Sequence, residues 1–501
     1  MMVSHHPKPT ADQKAAIEAI GEGRNVFLTG EGGTGKSFTI GRAIEALRAA
    51  KRSVLVCAPT GVAALNVGGS TIHRTFGLPP KPLVDKRDFG TVPKAVHATD
   101  TLIIDEAGMM RLDMMDAVNR ILDIENARRA KDGKLGPIQV VVVGDFFQLP
   151  PVVTDKDREV LETAYERDVD GGCHAFQAPS WESRSFETHL LRDPIRQRDP
   201  ELVANLNLAR VGNPACLPYF NDHVRKPEAD AVNLCATNAM AERINRRMID
   251  RLGSAKTYWA ESSGEVSKGD QPVPHELVLA VGARVIMAAN DPGGRWVNGS
   301  MGEVIELGEN SVWVAFDNGG EAEARPYDWK VTRYVASVAE NGETKLGETV
   351  IGTYTQLPLK PAWAITIHKS QGQTLDKVAV DPVPARGYDV TPGLLYVALS
   401  RCTSPRGLCI TQRIEPDWLV ADEQVARFYA SLKSIGPKSS PKPRIEPLDN
   451  QAERGSNDET GIGTQYGNLC NESFAKFAGE AEAWLAAHGP RAGQPITASK
   501  G

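Results

Sequence analysis

The sequence predicts an α/β protein built from two doubly wound halves, with a small antiparallel barrel inserted in the second. Three observations carry this. Short apolar strands ending in small or polar residues alternate with helical patterns over most of the chain. A glycine-rich turn, GEGGTGKS (30–37), separates the first strand from the first long helix. Alternating segments with turn residues between them, over about 297–356, interrupt the second half.

The elements follow in order. NVFLT (25–29) reads as a buried strand and SFTIGRAIEALRAA as the helix after it; further strands are expected at SVLVCAPT (53–60), TLIIDE (101–106) and QVVVVGD (139–145). After FETHLLR (186–192), the helical PELVANLNLARVG leads to AVNLCAT (231–237) and the helix NAMAERINRRMIDRL, which open the second half. GEVIELG and SVWVAFDNGG belong to the barrel. The α/β pattern resumes at AWAITIHKSQG (362–372) and VAVDPV (378–383), continues with the helix GLLYVALSRCT and the strand GLCITQRI (407–414), and ends near Ser434. Residues 435–463, rich in Pro, Ser, Gly and charge, form a flexible linker. In the tail, 464–501, Phe474, Phe477, Ala481 and Trp484 share one face of a short helix, which docks back on the body or binds a protein partner.

Composition narrows the class. A chain of 501 residues is several domains at about 150 residues each. Its 41% hydrophobic and 24% charged residues exclude a mainly disordered or coiled-coil chain. No apolar run approaches the roughly 20 residues of a membrane span, and MMVSHHPKPT has no signal-peptide core, so a cytoplasmic protein without membrane contact is expected. Seven scattered cysteines give no zinc spacing. The net charge of −6 means that any polyanion-binding surface must be local.

The glycine turn matches a phosphate-binding loop in its required setting. Gly30, Gly32, Gly33, Thr34 and Gly35 bend the backbone so that N–H groups face phosphates; Lys36 reaches the β and γ phosphates, Ser37 offers a hydroxyl to Mg²⁺, and Phe38 follows in the helix. Asp105 and Glu106 end an apolar strand, where one carboxylate holds Mg²⁺ and its neighbour polarises the attacking water, favouring hydrolysis of ATP. Asp145 and Gln148 stand at a neighbouring strand end, where the amide could sense the γ-phosphate. Gln13 opens a helix and is a candidate adenine reader. Arg196 and Arg401, from the second half, are candidates to reach the transferring phosphoryl group across a cleft.

These motifs, with APTGVAA (58–64), TIHRTFG (71–77), IRQRDPEL (195–202), VNGSMG (297–302) and AITIHKSQGQTLD (364–376), stand in the order found in superfamily 1B DNA helicases. The chain most resembles the petite-integration-frequency (Pif) group, with RecD-type and Dda-type helicases as neighbours. The matching motifs run from about Gln13 to Arg406. DEAGMMRLDMMDAVNRILDIENARRA resembles the Pif signature segment, with Ala-Gly after Asp-Glu and a shifted apolar pattern. The resemblance implies two RecA-like P-loop NTPase domains: 1A (1–76 and 97–192) and 2A (193–296 and 357–434). It also implies a wedge, 1B (77–96), a barrel, 2B (297–356), and 5′-to-3′ movement on single-stranded DNA.

A polynucleotide track combines hydroxyl, amide and basic contacts to phosphates with rings for stacking. The motif positions offer Thr60, His73 and Phe76 on the first half, and Thr366, His368 and Lys369 on the second. The expected function is a monomeric, ATP- and Mg²⁺-dependent DNA helicase acting on single strands, duplexes and fork junctions in replication, repair or recombination, and associated with the nucleoid. Two alternatives stand beside it: the motor subunit of a RecD-type complex, and an ATP-gated binding module without directional travel. RNA as the substrate is a third.

Overall fold

The structure, a computed structural model, describes residues 8–133, 135–165, 172–338, 344–383 and 390–432. The expected linker and C-terminal helix lie outside the described residues. One compact unit of the chain ends at Phe428.

Six strands form the first sheet: β1 (Val26–Gly30), β2 (Val54–Ala58), β3 (Ser70–Thr71), β4 (Thr101–Ile104), β5 (Gln139–Val143) and β6 (Glu187–Leu191). They pair in the order β3-β2-β4-β5-β1-β6, all parallel. β1, β2, β4 and β5 are buried along their whole length, which is why they read as unbroken apolar runs. Helices Ala11–Gly21 and Lys36–Ala49 cover one face through Ala16, Ile20, Ile40, Ala43 and Leu47. The carboxyl ends of β1, β4 and β5 therefore deliver the glycine loop, Asp105–Glu106 and Asp145 to one edge of the sheet.

The second half starts with helix Pro200–Arg210, capped by Asp199, and with β7 (Val232–Cys235). An antiparallel module then interrupts it. Its strands are β8 (Ala255–Trp259), β9 (Glu261–Gly264), β10 (Glu276–Ala280), β11 (Arg284–Met287), β12 (Met301–Leu307), β13 (Val312–Phe316), β14 (Glu321–Ala324), β15 (Tyr327–Val338), β16 (Thr344–Gln356) and β17 (Leu359–Pro361). They form a five-stranded sheet, β14-β13-β12-β11-β17, a three-stranded sheet, β15-β16-β9, and the pair β10-β8. Antiparallel pairing begins at Ala255, well before the expected 297. Part of this early stretch left no pattern to read: Glu261 to Gly264 are exposed throughout, so β9 shows no apolar alternation in sequence.

The second parallel sheet closes with β18 (Ala364–Thr366), β19 (Val378–Val380) and β20 (Leu408–Ile410), in the order β18-β7-β19-β20. Its core joins Leu234, Ile365, Val378, Val397, Leu399 and Ile410 to Leu202 and Phe220. No described helix is long and apolar enough to cross a membrane.

Candidate active site

The glycine loop is shaped by close approach from the second half. Gly33, at φ +89°, leaves room for the Arg196 side chain: a Cβ there would stand 2.7 Å from Arg196 Cβ and 2.9 Å from Gln197 Oε1. The N–H groups of Ile195 and Arg196 both donate to Gly33 O, at 2.9 and 3.1 Å. On the other flank, Gly32 N–H donates to Tyr396 Oη at 2.9 Å. A Cβ on Gly32 would meet that hydroxyl at 3.3 Å and Arg401 Nη2 at 3.7 Å. The glycines thus serve two ends, exposing backbone N–H groups and admitting side chains from the opposite lobe.

Arg401 is 1% exposed. Its Nε donates to Val397 O at 2.8 Å, Nη1 to Ser370 O and Gln373 O at 3.3 and 3.4 Å, and Nη2 to Ser400 Oγ at 2.7 Å. Arg196 Nη1 donates to Ser400 O at 3.3 Å, and the buried Gln197 fixes the same turn through Ser400 O and Cys402 O. Burial pulls both guanidinium pKa values down, Arg401 to about 9 with Arg196 adding repulsion. Neither arginine forms a salt bridge among the described residues. Two neighbouring cations held this way are suited to a polyanion.

Lys36 Nζ rests on the carbonyls of Gly30 and Glu31, at 2.9 and 3.0 Å, and burial lowers its pKa. Asp105 is buried and accepts the Glu106 N–H at 2.9 Å. Burial, and then the neighbouring Glu106 charge, raise its pKa. Glu106 itself sits at φ +51°, a left-handed conformation costing on the order of 1 kcal/mol and common at reactive sites. Ser37 is exposed at the start of the helix that follows the loop. Its hydroxyl and the Asp105 carboxylate are hard oxygen donors, and two mutually repelling carboxylates are relieved by a divalent cation. The residues therefore fit Mg²⁺, which takes one or two protein oxygens and leaves the rest of its shell to phosphate and water. Phe38 is half-buried in the first turn of the same helix.

Asp145 and Gln148 were read from the sequence, but their partners Arg210 and Gln371, and Tyr396 on the loop, were not. Asp145 forms a buried bidentate pair with Arg210, at 2.7 and 3.1 Å, joining the two lobes beside the loop. Arg210 also lies 4.4 Å from the Phe147 ring centre. Gln148 is buried, and Gln371 Nε2 donates to its Oε1 at 3.2 Å and to Glu106 Oε2 at 3.1 Å. Tyr396 and Gln371 lie inside motifs already recognised, but only the fold shows where their side chains point.

Two of the expected site residues are held by their own surroundings. Gln13 is 1% exposed with both polar ends engaged: Oε1 accepts Thr10 N–H at 3.0 Å and Nε2 donates to Thr34 O at 3.1 Å. It closes a capping box and braces the loop with its amide. Phe76 is 3% exposed.

The other candidate track residues fall as follows. Thr60 Oγ1 accepts Ala63 N–H at 3.3 Å, capping a helix start. His73 is half-buried, and desolvation lowers its pKa. Beside it, Arg74 pairs bidentately with Asp270 at 3.0 and 2.7 Å, tying this motif to the antiparallel module. Thr366 is buried and caps the four-residue helix Ile367–Ser370 by accepting Lys369 N–H at 3.2 Å. His368 and Lys369 are exposed on that helix.

Two parallel sheets meeting at one phosphate loop, with the buried Arg401 and half-buried Arg196 arriving from the lobe that lacks the loop, define a P-loop NTPase with two RecA-like domains. A PIF1-like helicase family model matches residues 8–167, and a UvrD-like helicase C-terminal domain model matches 361–404. The ATP-dependent DNA helicase Pif1 of Bdellovibrio bacteriovorus is 29% identical over 457 residues, covering 87% of this chain and 94% of its own. The crystal structure of Bacteroides sp Pif1 in complex with ADP-AlF4 superposes with a TM-score of 0.74 at 31% identity, covering 86% of this chain and 98% of that one. A structure of Bacteroides Pif1 bound to ssDNA gives a TM-score of 0.60 at 31% identity, with the same coverages. The chain belongs to the Pif1-like helicase family and is an ATP-dependent helicase.

Proposed function

We propose that the chain moves 5′ to 3′ along single-stranded DNA, using ATP and Mg²⁺, and separates duplex DNA ahead of it. The observation that carries this reading is the reach of Arg196 and Arg401, from the second lobe, to the glycine loop of the first. DNA as the track is supported by the relatives that act on or bind it, and 5′-to-3′ polarity by the motif resemblance. Because one chain holds both sides of the cleft, a monomeric motor is favoured.

Lys36 moves from the loop carbonyls to the β and γ phosphates. Glu106 accepts a proton from the attacking water while Gln148 senses the γ-phosphate. Arg196 and Arg401, already desolvated, stabilise the charge on the transferring phosphoryl group. Ser37 and Asp105 would hold Mg²⁺, which when bound would neutralise charge on the phosphate oxygens. Closure of the cleft then shifts His368 and Lys369 relative to Thr60 and His73, advancing the strand. Each base-pair step opened costs about 1.4 kcal/mol on average, so movement must be tied to hydrolysis.

Strand displacement on duplexes with 5′ or 3′ single-stranded tails, with and without ATP, tests the reading. Unwinding of the 5′-tailed substrate with ATP is expected. Preference for the 3′ tail would overturn the polarity, and no displacement from either would overturn directional unwinding.

A further inference from the structure

We infer that Gln371 is a positioning residue that transmits the grip on single-stranded DNA to the hydrolytic groups. This rests on the helicase reading above and adds a residue to it.

Gln371 Nε2 donates at once to Glu106 Oε2 and Gln148 Oε1, at 3.1 and 3.2 Å. It therefore touches both the group that takes the proton and the group that senses the γ-phosphate. Its own Oε1 is buried with no hydrogen-bond partner among the described residues. Such an acceptor is costly in a site that only needs filling.

The backbone completes the link. Gln371 ends the helix Ile367–Ser370, and its N–H donates to His368 O at 3.3 Å. Thr366 caps the other end through Lys369 N–H, and Ser370 Oγ closes onto Ile367 O at 2.7 Å. The exposed His368 and Lys369 thus share a short, internally bonded unit with the Gln371 side chain. That unit also holds Arg401, because Ser370 O and Gln373 O both accept from Arg401 Nη1. A strand that pulls on His368 and Lys369 must move the amide on Glu106 and the carbonyls on Arg401 together. Bonds of this kind weaken steeply with misalignment, so a displacement of a few tenths of an ångström is felt at Glu106.

The test is steady-state ATPase activity of the full chain with and without an oligothymidylate. Gln371→Met keeps the length of the side chain and removes the donor. We expect the ratio of its ssDNA-stimulated kcat to its DNA-free kcat to fall about tenfold, the scale of one hydrogen bond to a charged group. KM for ATP and Kd for the oligonucleotide should also stay within about twofold, a split that a general loss of structure does not give. Gln371→Glu, an isosteric change that replaces the donor with a charge repelling Glu106, should likewise lose stimulation and serves if the Met variant does not fold. Full stimulation in either folded variant, or equal losses with and without DNA, overturns the inference. A wild-type ATPase indifferent to single-stranded DNA would instead overturn the helicase reading beneath it.

Discussion

Replacing Arg401 by lysine keeps a positive charge and removes the fork. Arg401 makes four hydrogen bonds of 2.7 to 3.4 Å, three of them to the backbone carbonyls Val397 O, Ser370 O and Gln373 O, at a site 1% exposed. One ammonium on a shorter reach cannot meet acceptors spread around a planar guanidinium. Losing two such bonds, at about 1.5 kcal/mol or more each, costs about 3 kcal/mol of local order around the 370–373 turn. An arginine delivered to a transferring phosphoryl group is worth roughly 10³ to 10⁵ in rate elsewhere, so Arg401→Lys should lower kcat about 10²- to 10³-fold with some charge retained. Burial already brings the Arg401 pKa down to about 9. Lysine starts lower, near 10.4, and is destabilised by the same burial, so the variant loses its charge as pH rises and the defect should deepen from pH 6.5 to 8.5. The assay is ATPase activity at saturating single-stranded DNA across that range, with DNA affinity followed by fluorescence anisotropy. A kcat within about threefold of wild type, with no pH trend beyond its own, would refute the finger assignment.

Three further outcomes are expected. Lys36→Ala and Glu106→Gln should each abolish ATP hydrolysis while single-stranded DNA still binds; turnover near wild type in either removes it from the chemistry. Arg210→Ala takes the bidentate partner from Asp145, itself 2% exposed, and should cost about 3 to 5 kcal/mol in urea unfolding, with part restored by pairing it with Asp145→Asn. Burial works against ionised Asp270, but hydrogen bonds from Arg74 and Ser267 outweigh it and hold its pKa below the ordinary value. Its stabilising effect is therefore full above the unfolded pKa of about 3.9 and is lost as pH falls through the folded value. Asp270→Asn should lower the melting temperature at pH 7 and converge with wild type in stronger acid; an equal gap at both pH values would contradict this.

How far each part of the site could be read depends on whether its chemistry is local. Lys36 opens the helix after the glycine loop and Asp105 and Glu106 follow a strand end, and the local pattern that betrays them is a matter of a few neighbouring residues. Gln13 shows the opposite case: residue type and helix position suggested a base contact, while the capping box with Thr10 and the bond to Thr34 are visible only in the fold. Phe76 was legible as an aromatic in a helical motif and not as a buried one, since its burial depends on what packs over it. β9 stayed hidden because its pairing with β16 is a backbone matter that leaves no apolar pattern.

By itself the sequence determined the two parallel sheets, the phosphate loop and the strand-end carboxylates, because buried strands need apolar runs and tight phosphate turns need glycine at fixed spacing. The tertiary structure alone decided the pairings across long separations. Arg210 on Asp145, Tyr396 on Gly32, Gln371 between Glu106 and Gln148, and Arg74 on Asp270 join residues 65 to 364 positions apart. Such contacts arise when two separately formed lobes close on one another, and no short-range preference of the chain encodes which side chains then meet.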